Sequence, residues 1–279
     1  MKQLAKTALC TLYKYSGLMS AQEAMARIAG RSFMSVLLFH RVTDEIPEDG
    51  LTVSTRWFRD CCRMLERSFR VVSVAEIHRV LQSGETPPRR TVAVTFDDCY
   101  RDNLVAARTL AEHNLPATFF VPTGFIGTDH VFAWDQGLRR MANLSWEDVR
   151  EMIRLGHDIG SHTVSHANMA NLSDEQARVE LTESKRTLEG QLGRPVRWFA
   201  YPFGGRHNFR LDCLPLVYEA GYDACFSGFG GFLYPHMRGQ ILPRVAVPDF
   251  RSVLHLEMYL SGCLDWLYAL KKGTFQGAF

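Results

Sequence analysis

The chain of 279 residues carries 32 basic and 30 acidic side chains, a net charge of +2, and a 46% apolar share. That share supports a large core, and basic residues scattered at near-zero net charge exclude a footprint for nucleic acid. Seven cysteines, with Cys61 and Cys62 adjacent and no C-x-x-C spacing, argue against a disulfide framework and for reduced thiols in the cytosol.

The N-terminus, MKQLAKTALCTLYKYSGL, opens with Lys2, but Lys6, Thr7, Thr11 and Lys14 interrupt its apolar run. No signal-peptide core results, and nothing reaches transmembrane length. Leu4, Ala8, Leu12 and Tyr13 share one helical face, which predicts a docking helix or a basic helix resting on a membrane surface. A short helix over 21–28 leads to an apolar strand, Met34–Phe39, that ends at His40. After the acidic loop 44–50, Thr55–Ser68 is predicted as a helix with Thr55 as N-cap. Ser73-Val-Ala-Glu76 has capping-box spacing and opens a helix that stops at Gly84. The alternating run Thr-Val-Ala-Val-Thr-Phe at 91–96 then reads as a buried strand ending in Asp97 and Asp98.

The alternation continues with helices over 102–114, 145–155, 173–192 and 211–220. Between them lie strands at 117–121, 157–161, 198–201 and 222–226, then a loop rich in Gly and aromatics at 227–239 and a strand at 240–247. An amphipathic helix over 253–270 closes the chain. Strands separated by helices imply βα units and a parallel sheet, and six or seven units suit a barrel better than a short open sheet. The expected organisation is an α/β barrel over 34–250, flanked by helical additions at 1–33 and 251–279.

In such folds chemistry sits at the carboxyl ends of the strands, where His40, Asp97, Asp98, Ser161, His162, Pro202, Phe203 and Arg244 fall. Neighbouring side chains diverge in an extended chain, so one aspartate can bind a metal while the other handles a proton. The pair can equally begin a loop and cap the next helix. In GSHTVSHAN (160–168), His162 and His166 are four apart and would face the same way in a helical turn. They supply either two nitrogens to one metal or two surface histidines near a helix start. Joined to a carboxylate from another strand end, they form a two-His, one-carboxylate set with open positions.

The ordered motifs TFDD (95–98), ATFFVPTGFIG (117–127), LGHDIGSHT (155–163), SHTVSH (161–166) and FAYPFG (199–204) resemble the polysaccharide deacetylase family. The resemblance spans about 36–247. It implies a distorted (β/α)7 TIM-like barrel and a divalent-metal hydrolase that removes an N-acetyl group from an N-acetylhexosamine unit of a glycan or glycan precursor. It makes Asp97 the general base and Asp98, His162 and His166 the ligands of one metal ion, Zn²⁺ first, with Co²⁺, Ni²⁺ or Mn²⁺ as alternatives. It also makes the backbone N–H of Phe203, after the motif proline, the oxyanion donor.

Three departures from the family pattern stand out. Cys99 replaces the glycine that usually follows the aspartate pair. Ala200 stands where relatives carry an arginine that pins the base, and Arg244, in Leu242-Pro-Arg, is the candidate substitute. The only late Leu-x-His motif, Leu254-His255-Leu256, lies in a helical pattern after the last strand. His40 resembles instead the first-strand histidine of the biofilm poly-N-acetylglucosamine deacetylases, which makes it the expected acid for the leaving amine. Trp134, Asp135, Tyr201, Pro202 and the loop 228–236 are the expected substrate contacts. A metal-dependent amidase or O-acetyl esterase on a non-polymer substrate, or a catalytically silent glycan-binding module, are the alternatives. The expected partner is an N-acetylated glycan or lipid-linked sugar. The expected location is the cytoplasm, with peripheral contact to the inner membrane face through the terminal helices.

Overall fold

All six residues of Met34–Phe39 (β1) are buried, as a strand covered on both faces requires. This computed structural model describes residues 32–137, 141–235, 237, 240–250 and 252–262, with 11–13, 15–18, 20–21 and 24–25 nearer the N-terminus. Arg41–Val42 (β2) and Thr52–Val53 (β3) pair separately beside the main sheet. Thr55–Ser68 (α1) buries Phe58, Cys61, Cys62, Met64 and Leu65. Its N-cap is Ser54 rather than Thr55, because Asp44 takes both the Thr55 hydroxyl and its N–H. Arg70–Val71 (β4) precedes Val74–Ser83 (α2), which is capped by Ser73 and ended by left-handed Gly84.

The series continues through Thr91–Asp97 (β5), Asp102–Glu112 (α3), Ala117–Val121 (β6), Trp146–Arg154 (α4), Asp158–Ser161 (β7), Asp174–Leu192 (α5) and Trp198–Ala200 (β8). Leu214–Glu219 (α6), Ala224–Phe226 (β9), Val245–Ala246 (β10) and Val253–Leu260 (α7) complete it. The expected helix over 211–220 starts as a 3-10 turn, since Pro215 occupies its first α-helical turn. The expected strand over 240–247 is interrupted at Pro243, which has no N–H for a ladder, and Val247–Asp249 turns away as a 3-10 helix.

The sheet runs β10-β1-β5-β6-β7-β8-β9 with every pair parallel, and β4 joins the start of β5. Leu242 bridges Phe226 of β9, while Val245 and Ala246 just beyond it pair with β1. The segment 242–246 therefore closes the sheet, giving a distorted (β/α)7 barrel whose staves are β1, β5, β6, β7, β8, β9 and this segment.

Alternate residues of the staves point inward. Met34, Val36, Ala93, Phe120, Trp198, Ala200, Ala224, Phe226 and Leu242 form one buried cluster together with Val74, Ile77, Val80 and Leu81 of α2. A Cβ on Gly160 of β7 would lie 2.4 Å from the Phe120 ring, so only glycine leaves that ring its place in the interior. The opposite strand faces pack on the helices in a larger cluster.

Among the described residues no helix is long and apolar enough to cross a membrane. The helical additions expected at 1–33 and 251–279 fall largely outside the described residues; the described part of the second is α7, which packs on α1.

Candidate active site

Asp97, the last residue of β5, points into the barrel and meets Arg244 from the closing segment. Arg244 donates from Nη1 and Nη2 to the two Asp97 oxygens at 2.7 and 2.6 Å, a bidentate pair with no solvent exposure of the guanidinium. Its Nε donates to the Ser227 carbonyl at 2.7 Å and Nη1 also reaches Thr95 Oγ1 at 3.2 Å, while the guanidinium lies over the Phe120 ring. Burial pushes the Asp97 carboxyl up, but Arg244 and His162 outweigh it and hold the group below its ordinary value. Ala200, where an arginine was missing, is fully buried on β8.

The next residue turns away. Asp98 has a φ of +70°, a left-handed conformation that sends its carboxylate toward the loop after β7. Its Oδ1 lies 3.2 Å from Nε2 of His166 and 3.8 Å from Nε2 of His162. Both Asp98 oxygens are buried and accept no hydrogen bond of normal geometry. A buried carboxylate without donors is costly unless a cation faces it.

His162 donates its Nδ1–H to the Ala200 carbonyl at 2.8 Å, which leaves the Nε2 lone pair for the cluster. Burial lowers its pKa to about 4 against the pull of Asp97, so the imidazole is neutral at pH 7. Burial would raise Asp98, yet His166, His40 and His162 hold it at about 2. One atom each from Asp98, His162 and His166 lies within 4.8 Å of the others. An ionised carboxylate and imidazole nitrogens converging in this way fit a divalent cation.

The two histidines converge without a helical turn. Thr163 and His166 have φ of +69° and +57°, so 162–168 is a loop in which left-handed residues fold the second imidazole back. Glu180 of α5 holds that loop: one carboxylate oxygen accepts from Val164 N at 2.7 Å and Ser165 N at 3.0 Å, the other from Ser165 Oγ at 2.7 Å. Nothing local in the sequence marks Glu180, which lies a loop and half a helix away. Glu180→Ala removes both acceptor oxygens and leaves the Val164 and Ser165 N–H groups without their partner. It is expected to weaken zinc binding about 10–100-fold, as loss of a ligand-orienting partner does, measured by competition with a chelating dye.

A cavity of about 280 Å³ opens over these groups, lined by Leu38, His40, Gly50, Leu51, Trp134, Phe203, Gly228 and Ala246 as well as Asp97, Asp98, His162 and His166. His40 Nδ1 is buried without a partner, and burial lowers the ring's pKa against Asp98 and Asp97. The backbone that carries it is anchored by α3: Asn103 donates to the His40 carbonyl at 2.6 Å and Asp102 accepts from Val42 N at 3.0 Å.

Burial raises the Asp102 pKa to about 7. The folded chain therefore holds this proton above the pH at which the unfolded chain releases it. Its contribution to stability is full below about pH 4 and shrinks up to about pH 7, by a few kcal/mol. The melting temperature of Asp102→Asn, relative to wild type, is expected to climb as pH is raised across that window.

Phe203 follows Pro202 with a φ of +61°, and its exposed ring edges onto His166 and Trp134. Gly204 follows at φ +58°, where a Cβ would lie 2.1 Å from the Gly228 backbone, so the turn is locked against the 228 loop. Pro202 is buried in this turn. Tyr201 is buried beside Phe199 and Phe209 and does not line the cavity. Asp135 is also away from the cavity, bound to Arg41 and Tyr100. Of the loop 228–236, Gly228 lines the cavity and His236 lies outside the described residues. Cys99 is wholly buried, its thiol pushed well up by burial and by Asp98, so it stays protonated and unreactive.

The sequence profile of the polysaccharide deacetylase family matches residues 84–224. A Bacillus subtilis (strain 168) protein with a provisional polysaccharide deacetylase name, YxkH, is 24% identical over 195 residues, 68% of this chain and 62% of that one. The chitooligosaccharide deacetylase of Bradyrhizobium sp. is 28% identical over 50% of this chain and 57% of its own length. The poly-beta-1,6-N-acetyl-D-glucosamine N-deacetylase of Escherichia coli is 22% identical over 77% of this chain and 36% of its own. The chain thus spans less than two thirds of these relatives. Among solved structures, IcaB from Ammonifex degensii superposes with a TM-score of 0.69 at 22% identity, covering 82% of this chain and 97% of that one. The Streptococcus pyogenes deacetylase PplD, in complex with acetate, gives 0.69 at 24% identity over 80% and 96%. Both share the fold.

Proposed function

Because the chain belongs to the polysaccharide deacetylase family, we propose that it is a divalent-metal-dependent hydrolase cleaving the N-acetyl amide of an N-acetylhexosamine unit in a glycan. The observation that carries this reading is Asp98: a buried carboxylate with no hydrogen bond of normal geometry, facing the imidazoles of His162 and His166, beside a second carboxylate pinned by Arg244. The names of the Bradyrhizobium and E. coli relatives support N-acetylglucosamine oligomers or polymers as the substrate class.

Asp98, His162 and His166 would hold the cation, Zn²⁺ by the nitrogen-rich donor set. When bound, it supplies a Lewis acid that acidifies water and polarises the acetyl carbonyl. Asp97, kept ionised and oriented by Arg244, takes the proton of the attacking water. Among the described residues the Phe203 N–H has no acceptor. Its left-handed turn makes it the donor for the oxygen that gains charge, a role typically worth ~10²–10³ in rate. His40, which lines the same cavity, gives a proton to the departing amine; burial lowers its pKa, so the protonated fraction of the ring fills this role. The products are acetate and a free amino sugar.

The reading is tested by comparing an N-acetylglucosamine oligomer with a simple aryl acetate. Acetate release from the oligomer at the higher kcat/KM supports it. Turnover of the aryl acetate alone would make the protein an esterase.

A further inference from the structure

Arg41, next to His40, is 1% exposed and occupied at every corner. Its Nε donates to Thr52 Oγ1 at 2.9 Å, Nη1 to Asp135 Oδ1 at 2.6 Å and Nη2 to Asp49 Oδ2 at 2.8 Å, while the guanidinium lies 5.3 Å from the Tyr100 ring centre. Asp135 Oδ2 accepts from the Tyr100 hydroxyl at 2.5 Å, and the Tyr100 oxygen accepts from Trp134 Nε1 at 3.0 Å. Burial and the neighbouring carboxylates keep Tyr100 a phenol, so it donates and accepts at once.

This relay ties together two walls of the cavity that are distant in sequence. One is Gly50–Leu51, next to Asp49 and bonded through the Leu51 carbonyl to Arg41 N at 3.0 Å. The other is the half-buried indole of Trp134, stacked on Phe132 and edged by His166 and Phe203. None of Arg41, Tyr100 and Asp135 lines the cavity. A buried guanidinium costs several kcal/mol in desolvation, which its full set of acceptors offsets, and packing alone would cover a rim with less. Such a network fixes geometry.

We propose that Arg41, Tyr100 and Asp135 are positioning residues that set the Trp134 indole as a platform for a pyranose ring across from Gly50–Leu51, and so govern glycan binding rather than bond cleavage. The inference rests on the glycan deacetylase reading above. An indole presents an electron-rich face to the C–H edge of a sugar, and its tilt decides whether that face meets the ring.

Tyr100→Phe removes the hydroxyl between Trp134 and Asp135 and keeps the ring under Arg41. For a β-linked N-acetylglucosamine oligomer its KM is expected to rise about tenfold, the loss of roughly 1.4 kcal/mol of uniform binding, with kcat within about twofold. Hydrolysis of an aryl acetate too small to reach Trp134 is expected to stay unchanged, and Asp135→Asn to repeat the split. Equal loss on both substrates, or an unchanged oligomer KM, would overturn the proposal. The Trp134 indole N–H resonance gives a readout without turnover: it should move when the oligomer is added to wild type and start from a different shift in Tyr100→Phe. A resonance indifferent to the oligomer overturns the proposal whether or not acetate appears. A shifting resonance with no acetate release counts against the deacetylase reading instead.

Discussion

Asp97→Asn is expected to lower kcat/KM for deacetylation by about 10²–10⁴-fold, the usual share of a general base, with zinc binding retained. The reason is the division of labour between adjacent carboxylates. Asp97 is bound by Arg244 and has Oδ2 3.8 Å from Nε2 of His162, whereas Asp98, turned by its left-handed φ, has Oδ1 3.2 Å from His166 and 3.8 Å from His162. An asparagine at 97 keeps one oxygen for Arg244 but presents an NH₂ to the other guanidinium nitrogen and has no basic oxygen for a proton. Some loss of melting temperature accompanies it, since breaking a buried pair costs about 3–5 kcal/mol in the limit of full removal. Stopped acetate release with one zinc still bound would separate chemistry from metal binding. Loss of zinc in this variant would mean that the two carboxylates share the ion.

The second large effect is expected for His162→Ala. His162 is fixed from behind by the Ala200 carbonyl and stays neutral, so its Nε2 is available at neutral pH. Removing it leaves a two-donor site. Loss of an orienting partner alone costs 10–100-fold in affinity, so loss of the ligand is expected to cost more than about 100-fold and to abolish turnover at substoichiometric zinc. Zinc content after dialysis, measured by mass spectrometry, checks it. Retention of zinc at wild-type affinity would put the cation elsewhere. Ligands must be deprotonated to bind, so wild-type zinc affinity is also expected to fall as pH drops.

How much of this was legible in the sequence differs from residue to residue. Asp97 and Asp98 could be read because a run of buried-strand residues ends at them, and strand ends carry chemistry in parallel α/β folds. His162 and His166 stood out by their spacing, which would align them in a turn of helix; they meet instead within a loop. Thr163 and His166 adopt left-handed backbone that no residue type there announces, stabilised by Glu180 from a separate helix. Arg244 was a candidate because the family's motif arginine is absent at Ala200 and Leu242-Pro-Arg offers another, and its pairing with Asp97 joins residues 147 positions apart. Asp135 looked like a sugar contact beside Trp134, yet it faces Arg41, because a buried arginine on another strand needs a counter-charge. Long-range pairings of this kind leave no local periodicity, and they account for most of what the sequence left unread.

The most direct test of the account is to incubate the zinc-loaded protein with N-acetylglucosamine oligomers of several linkages and lengths, beside Asp97→Asn, and to measure acetate together with product mass. The account predicts acetate in equal amount to new free amines, each product lighter by whole acetyl groups, and essentially none from Asp97→Asn. Acetate release at the wild-type rate from Asp97→Asn, or no acetate from any oligomer while zinc and glycan are both bound, would contradict it.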